Sequence, residues 1–218
     1  MLYLILRFFG VFLFKLLFRF HVTGKNAIPE KGGILIVSNH VSYLDPHMLA
    51  AASPRPLYFF AKSGLFKNSL FGWLIRMLHA FPVHQDRLDK DAFERAIREL
   101  KKGKALVVFP EGTRSTDDRI HPGQAGAGFF AVKAGVPVLP VYLRGTYEAL
   151  PPGRRMIRPK KVSIHFGKPL FFDPSASPSR EGTEEPTPKK AGRRQIYYQK
   201  IADQMMEAIQ TIKHLTET

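Results

Sequence analysis

A histidine and an aspartate lie five positions apart in NHVSYLDP, residues 39–46. A free imidazole titrates near pH 6.5, so its neutral form is available as a base, and a neighbouring carboxylate can orient it and stabilise the imidazolium. The preceding apolar run, GGILIVS, predicts a buried strand that ends just before His40. Two interpretations of His40 and Asp45 follow: a general base with its orienting partner, or a loop histidine beside a helix cap.

The spacing of this pair constrains the backbone between its members. On a continuous helix, positions five apart diverge by about 140°, so contact between His40 and Asp45 requires a turn. Asp45 precedes Pro46, and a residue before proline avoids the helical region. We therefore predict that Asp45 is the N-cap of a helix with Pro46 at its first position. One carboxylate oxygen would cap the helix and the other would meet His40.

A second segment with chemical potential is FPEGTRS, residues 109–115, directly after the apolar run ALVV. Ligands of α/β sheets favour the carboxyl ends of strands. Gly112 allows close approach of backbone to a ligand, Arg114 offers a planar fork that matches a phosphate, and Glu111 can accept hydrogen bonds from hydroxyls. Taken alone, the segment is more simply interpreted as a polar turn with a surface Glu–Arg pair.

A third segment, VPVLPV at residues 136–141, places two prolines in an apolar strand pattern. Each proline removes a donor from a strand ladder. The pattern predicts an edge strand, a bulge or a wall that lines a substrate, and an ordinary edge strand is the simplest of the three.

Together, in this order, the three segments resemble the glycerolipid acyltransferases, that is, the 1-acyl-glycerol-3-phosphate (lysophosphatidic acid) acyltransferases and their relatives. The His-x4-Asp motif matches His40 and Asp45, and the Phe-Pro-Glu-Gly-Thr-Arg block matches residues 109–114 in full. The Val-Pro-x-x-Pro block matches residues 136–140. The resemblance covers roughly residues 25–170 and is carried most specifically by the ordered set.

The resemblance implies a role for each matching residue. His40 would take the proton from an acceptor hydroxyl, which then attacks an acyl thioester, and Asp45 would hold the imidazole in the right tautomer. The positively charged candidates for the acceptor phosphate are Arg114 first, with Arg87 and Lys62 behind it. The full set of predicted substrate-binding residues is Glu111, Gly112, Thr113, Arg114, Arg87 and Lys62.

One element departs from the family pattern. The family places an arginine shortly after an apolar Phe/Pro-Val run, and here that run is AFPVHQDR, residues 80–87. The ungapped match puts Gln85 at the arginine position, with Arg87 two positions later. Either Arg87 substitutes through a local rearrangement, or the acceptor head group is held differently.

Residues that are missing narrow the chemistry further. The chain has no cysteine and no G-x-S-x-G elbow, so Ser42, close to His40, is the only tempting nucleophile. The eight histidines lack metal-binding spacings, so we predict no metal and no cofactor. Direct acyl transfer within a ternary complex is the simpler interpretation.

Charge predicts an anionic partner. The 218 residues carry a formal net charge of +15, which fits a nucleic acid, an anionic membrane or phosphorylated substrates. No nucleic-acid recognition motif accompanies that charge, and the apolar N-terminal segment favours a membrane. We therefore predict an anionic membrane surface as partner and no nucleic acid.

The first twenty residues favour the same partner. They are mostly apolar, twelve of them leucine or phenylalanine, and Arg7, Lys15 and Arg19 interrupt the apolar run. At about 100° per residue these cations fall within about 120° of arc, which suits a helix lying in the membrane interface. A true span and a buried amphipathic helix are the alternatives, and a cleaved signal peptide is disfavoured because cations interrupt the apolar run.

Short apolar runs bounded by glycine or proline predict strands, and helical patterns lie between them at residues 45–52, 65–79 and 89–104. The predicted strands are residues 33–38, 57–60, 80–83, 105–110, 136–145 and 161–167. This alternation predicts an α/β fold with a mixed or mostly parallel sheet flanked by helices. The predicted organisation is an N-terminal membrane anchor helix at 1–24, an α/β acyltransferase domain at 25–172, a flexible linker at 173–193 and a C-terminal amphipathic helix at 194–218.

An apolar helical stripe in the segment 65–79 is expected to be a core stripe, and the alternative is a surface that lines an acyl channel or faces lipid. Its members are Phe66, Leu70, Phe71, Trp73 and Leu74. The resulting functional prediction is a membrane-associated acyltransferase on the cytoplasmic face. Its donor is acyl-CoA or acyl-carrier protein, and its acceptor is a lysophospholipid, first of all lysophosphatidic acid. Acylation of a different lysolipid is one alternative, and a non-catalytic lipid-binding or lipid-transfer module on the same fold is the other.

Overall fold

A computed structural model describes residues 11–84, 89–154, 156–176 and 188–217 of the chain. Two of the predicted cations, Arg7 and Arg87, lie outside these residues, as does Gln85. The roles that the sequence predicts for these three residues therefore stay predictions.

Seven strands form one sheet in the order β1-β7-β6-β2-β5-β3-β4. All neighbours are parallel except β6 and β7, which are antiparallel. This confirms the predicted mixed, mostly parallel sheet. The strands are β1 His21–Thr23, β2 Ile34–Ser38, β3 Leu57–Lys62, β4 Ala80–Val83, β5 Ala105–Val108, β6 Val138–Arg144 and β7 Ser163–Phe166.

Helices cover both faces of the sheet. They are α1 at 11–18, α2 Asp45–Ala52, α3 Ser69–Met77, α4 Lys90–Lys101, α5 Ala125–Ala134, α6 Thr146–Ala149 and α7 Pro188–Glu217. One apolar cluster joins the sheet to α1 and α2, and a second joins its other face to α4, α5 and α7. Central strands such as β2 are buried on both faces, which explains their unbroken apolar sequences.

The antiparallel β6–β7 pair decides what lies beside the carboxyl ends of the central strands. Ser163 at the start of β7 pairs with Arg144 at the end of β6. The start of β1 pairs in turn with Ser163 through His21. The segments that precede β1 and β7 therefore lie at the same edge of the sheet as the carboxyl ends of β2, β5 and β3.

The expectation of an edge strand for VPVLPV is wrong, because β6 lies between β7 and β2. Pro140 is accommodated where the pairing with the following segment is interrupted. Its carbonyl accepts from Gly167 N, just beyond the end of β7, and Val138 pairs separately with Leu170 in an isolated bridge. The missing N–H thus falls at a break in the ladder, as expected for a proline inside a sheet.

The described part of the N-terminal helix is partly integrated into the core. Phe18 is fully buried, its carbonyl accepts from Val162 N, and Phe14 packs against the same cluster. The opposite face is exposed, with Phe12, Leu13 and Leu16 at 62%, 49% and 72%. In the described part of the chain, no helix combines the length and the apolar character needed to cross a bilayer.

Two further expectations need correction. The helix predicted for 194–218 already begins at Pro188, inside the predicted linker 173–193, because the polar lysines and arginines of its first turns are good helix formers that carry no apolar stripe. The stripe on α3 is not a core stripe, since Leu70 and Trp73 are 74% and 51% exposed. With Leu65 at 46%, they form an exposed apolar face at the carboxyl end of β3.

Candidate active site

His40 and Asp45 meet through a turn that follows β2. His40 Nδ1 lies 2.8 Å from Asp45 Oδ2, and the side chain of Asp45 is fully buried while that of His40 is 17% exposed. The predicted contact is therefore confirmed as geometry. The exposed fraction leaves one face of the imidazole accessible to a substrate.

The expected N-cap role of Asp45 is wrong. Asp45 is the first residue of α2, and its carboxylate points back toward the preceding loop. Oδ2 accepts from the backbone N–H groups of Val41 and Ser42 at 2.7 and 2.8 Å as well as contacting His40. Oδ1 is buried and has no partner among the described residues. The aspartate therefore closes the turn and orients the histidine with a single oxygen.

Ser42 is an integral part of this turn. Its side chain is fully buried, its hydroxyl donates to Leu150 O at 2.7 Å, and it accepts from Leu44 N. A nucleophile must be accessible and must meet a base. Ser42 is committed to backbone contacts, which argues against the nucleophilic role that the sequence left open.

Glu111 ties the second motif to the first. Its Oε1 accepts from His40 N at 2.8 Å, and its Oε2 accepts from His121 N at 3.1 Å. Burial raises the pKa of the Glu111 carboxyl, and the two backbone N–H groups oppose this effect. The contacts observed for Glu111 make it a positioning residue for the backbone of His40, and its predicted contact with substrate stays a prediction.

Two more contacts hold the loops together. Ser115 N donates to His40 O at 2.7 Å. Asn39 donates from Nδ2 to Leu143 O and accepts at Oδ1 from Leu143 N, at 3.0 and 2.8 Å, so its amide extends the β2–β6 ladder by one pair. Asn39 was not predicted from the sequence, although an asparagine directly after a buried strand is a signal for such a bridge.

Arg114 stacks on an aromatic ring that the sequence analysis did not single out. Its guanidinium carbon lies 3.4 Å from the ring centroid of Tyr43, which is 54% exposed. Arg114 Nη1 is buried and has no hydrogen-bond partner among the described residues. A guanidinium whose face is covered by a ring keeps its N–H edge available for an anion.

The remaining predicted binding residues are distributed unevenly. Gly112 has a φ of 78°, which favours glycine, and a Cβ there would lie 2.6 Å from the Gln124 side chain. Thr113 is exposed on the same turn. Lys62 is exposed at the end of β3, at the same edge of the sheet but outside the cavity that His40 lines.

A cavity of about 350 Å³ opens beside His40. Its walls are mainly apolar and come from β3, β4, β5, α4 and α5, and their members include Phe60, Val83, Phe93, Val107, Phe109 and Phe130. Phe109 also stacks on the imidazole of His40, with ring centroids 3.9 Å apart. A mostly apolar cavity with a few polar groups at its mouth is the usual form of a small-molecule site.

His84, which the sequence analysis did not consider, also lines the cavity, and its ring lies 3.2 Å from the Ser63 hydroxyl. Its backbone N–H donates to Asp89, the residue that caps α4. The cavity wall is therefore tied to the start of α4 next to residues 85–88, which lie outside the described chain.

The acyltransferase family model matches residues 19–144, more than half of the chain. The chain belongs to the acyltransferase family. The matched range contains the two motifs at His40 and Glu111 and every residue that lines the cavity, so the family assignment covers the candidate site.

Individual relatives agree with this assignment. The chain is 36% identical over 138 residues to a chloroplastic 1-acyl-sn-glycerol-3-phosphate acyltransferase of Brassica napus, covering 62% of this chain and 40% of that one. It is 32% identical over 167 residues to the 1-acyl-sn-glycerol-3-phosphate acyltransferase of Streptococcus pneumoniae (strain ATCC BAA-255 / R6), covering 75% and 60%. The chain thus spans about half the length of these curated relatives.

The fold is also shared with a solved member. The crystal structure of the 1-acyl-sn-glycerophosphate (LPA) acyltransferase PlsC from Thermotoga maritima matches with a TM-score of 0.74 and 30% sequence identity. The match covers 97% of this chain and 78% of that one. The resemblance first inferred from three short motifs therefore extends over the described fold.

Proposed function

We propose that this protein is a membrane-associated acyltransferase that moves a fatty acyl group from an acyl thioester to the free hydroxyl of a lysophospholipid. The preferred acceptor is lysophosphatidic acid, which gives phosphatidic acid. The observation that carries the proposal is the His40–Asp45 pair, 2.8 Å apart, at the mouth of an apolar cavity. Relatives named for the same reaction support it.

The proposed chemistry needs no covalent enzyme intermediate. A carboxylate oxygen only accepts hydrogen bonds, so the contact with Asp45 places the hydrogen of His40 on Nδ1 and leaves Nε2 as the base. Nε2 takes the proton of the acceptor hydroxyl as its oxygen attacks the thioester carbonyl. The tetrahedral intermediate expels the thiolate, which takes the proton back from the imidazolium.

Buried Asp45 contributes most at the moment when the imidazolium exists. Its carboxylate faces Nδ1 directly, and burial excludes water that would screen the pair. Two backbone N–H groups fix the same oxygen, so little reorganisation is needed when His40 becomes charged. The pair is thus suited to stabilise the transition state rather than the bound substrate.

We assign the acyl chain to the apolar cavity and the acceptor phosphate to the edge of Arg114. The carboxyl end of the acyl chain would lie beside His40 and Phe109, because both residues line the cavity. Arg114 follows Gly112 on the loop that is bonded to the backbone of His40 through Ser115. Acyl-CoA and acyl-carrier protein both fit as donors, since the thioester is common to the two.

The proposal also assigns the protein to the cytoplasmic face of a membrane. The cytoplasmic leaflet carries a negative surface potential that attracts clustered lysines and arginines. The formal net charge of +15 supports this assignment. A lipid acceptor supplies the functional reason for residence at that surface.

The experiment is a mass-spectrometric acceptor screen with the full-length protein, using a palmitoyl-CoA donor and then palmitoyl-acyl-carrier protein. We expect phosphatidic acid from lysophosphatidic acid, and release of one free thiol per product. If another lysolipid causes thiol release and lysophosphatidic acid does not, the proposed acceptor is wrong and that lysolipid takes its place. If the protein binds lipid without any thiol release, the alternative function, a non-catalytic lipid-binding module, replaces the proposed acyltransferase.

A further inference from the structure

An exposed loop before β7 combines cations with apolar side chains. Residues 151–161, PPGRRMIRPKK, contain five cations and no acidic residue, and one of these cations, Arg155, lies outside the residues that the structure describes. Met156 and Ile157 are 80% and 48% exposed. No ion pair between described residues involves Arg154, Arg158, Lys160 or Lys161.

The topology places this loop on the active-site edge of the sheet. The loop leads into β7, whose first residue pairs with the last residue of β6. β6 runs parallel to β2, which ends two residues before His40. The loop therefore emerges at the same edge as the catalytic pair, on the side of the sheet where β1 lies.

The loop is also continuous with the exposed face of α1. Val162 N donates to Phe18 O, and His21 N donates to Val162 O, so the end of α1 is bonded to the end of the loop. Lys15 and Arg19 are exposed there. The apolar residues Phe12, Leu13 and Leu16 are exposed on the preceding turns of α1.

We propose that loop 151–161 is a bilayer-docking element that, with α1, seats the active-site edge on an anionic membrane. Apolar tips enter the interface and unpaired cations bind lipid phosphates, as in other interfacial segments. The inference rests on the proposed function, because it gives the lipid acceptor a route to His40. Nucleic acid fits less well, since exposed Met156 and Ile157 gain nothing from a phosphate backbone.

The docking element also explains why exposed apolar side chains are tolerated. An isolated exposed methionine or isoleucine is ordinary, but two in a loop rimmed by cations mark an interaction surface. Burial of such side chains and attraction of the cations act on the same face. Binding should therefore weaken with salt without being abolished, because salt screens only the charge contribution.

The test uses the full-length protein and flotation with phosphatidylcholine vesicles, with or without phosphatidylglycerol. One variant, Met156→Ser/Ile157→Ser, removes the apolar tips and keeps the charge. A second, Arg158→Gln/Lys160→Gln/Lys161→Gln, removes charge and keeps the tips. The matched control is Lys31→Gln/Lys101→Gln/Lys133→Gln, three exposed cations before β2, β5 and β6 at the opposite edge of the sheet.

We expect the charge variant to bind anionic vesicles at least about tenfold more weakly, since each cation near such a surface contributes about fivefold. The serine variant should lose about tenfold on both vesicle types. The control should bind like the wild type. Unchanged binding of both loop variants, or equal losses in loop and control charge variants, would overturn the proposal.

Two further measurements separate this inference from its alternatives. Turnover of a monomeric, short-chain lysophosphatidic acid should be the same in the loop variants as in the wild type, since the loop is outside the catalytic machinery. If the wild type floats with vesicles in a way that depends on the loop but shows no turnover, the proposed function is contradicted and the docking element is still supported. A loop charge variant that loses duplex DNA binding but keeps vesicle binding would overturn docking in favour of nucleic acid.

Discussion

The centre and the flanks of the active-site edge have opposite surface chemistry. In the centre, Asp45 and Glu111 are charged side chains that are buried and held by backbone N–H groups. On the flanks, α1, loop 151–161 and α3 expose large apolar side chains. Both arrangements break the usual distribution of polar and apolar groups, and both do so at one edge.

The centre and the flanks are therefore suited to different functions. Buried polar groups that several hydrogen bonds hold, such as Oδ2 of Asp45 and the carboxylate of Glu111, keep a fixed arrangement and suit bond making. Exposed apolar groups beside free cations tolerate variable contacts and suit a fluid partner such as a lipid surface. Changes in the centre should therefore affect turnover on any acceptor, and changes on the flanks should affect only membrane-presented acceptor.

The largest effect is expected at the catalytic pair. His40→Ala should lower kcat by about 10²–10⁴, because the general base is lost. Asp45→Asn should also lower kcat, since an amide opposite Nδ1 disturbs the tautomer that leaves Nε2 free. Steady-state kinetics with monomeric acceptor check both, and circular dichroism checks that the fold persists. A His40→Ala protein with wild-type kcat would remove the proposed base.

The motif residues also show what sequence patterns can predict. The His40–Asp45 contact was predicted, because a short spacing leaves few ways to form a turn. The orientation of the Asp45 carboxylate was not, since capping α2 and accepting from Val41 and Ser42 are local alternatives of similar cost. The choice follows from packing, which buries the carboxylate completely.

In the fold, too, elements with local sequence signals were predicted and elements that depend on distant contacts were not. The six predicted strands were confirmed because β-branched and aromatic runs bounded by Gly or Pro are local signals. Three-residue β1 was missed because it is held mainly by its pairing with β7. Helix α5, with the sequence AGAGFFAVKA, was missed because glycine lowers helix propensity. Its Gly128 is needed for close contact with the backbone of Tyr198 in α7, which no local pattern shows.

A smaller loss of turnover is expected at Glu111. In Glu111→Gln one of the two backbone N–H groups, of His40 or His121, faces an NH₂ group instead of an acceptor. A buried unsatisfied group costs about 1–3 kcal/mol, so we expect kcat to fall by at most roughly 5–150-fold as His40 shifts.

The KM for donor should change little in Glu111→Gln, because the carboxylate contacts backbone rather than the cavity. The control is Glu94→Gln, an exposed residue of α4. If KM for one substrate rose while kcat stayed constant, Glu111 would be a binding residue as the sequence first predicted.

The next effect concerns the Tyr43–Arg114 stack at the border between the two regions. Tyr43→Ala should raise KM for lysophosphatidic acid about 3–10-fold, the range expected when a cation–π contact is lost. Tyr43→Phe keeps the ring and should retain most of the affinity. KM for the acyl donor should stay constant in both variants. Arg114→Ala should raise KM for lysophosphatidic acid more than either of them. Equal damage to both substrates would assign Tyr43 a structural role instead.

The smallest effect is a pH dependence in the loop between β5 and α5. Burial, and then repulsion from Glu148 and other nearby carboxylates, raises the pKa of Asp118 from 3.8 to about 6. The folded protein therefore keeps this proton longer than the unfolded chain, so stability falls as pH rises from about 4 to about 6. Asp118→Asn lacks that fall, and asparagine accepts the positive φ of 58° at this position. Neighbouring atoms bury the carboxyl only in part and the residue still exposes surface to solvent, so screening limits the expected gain to below about 1 kcal/mol at neutral pH and to none near pH 4. Thermal unfolding of both proteins across this range checks the sign, since a gain confined to low pH would mean that the carboxylate is stabilised rather than repelled.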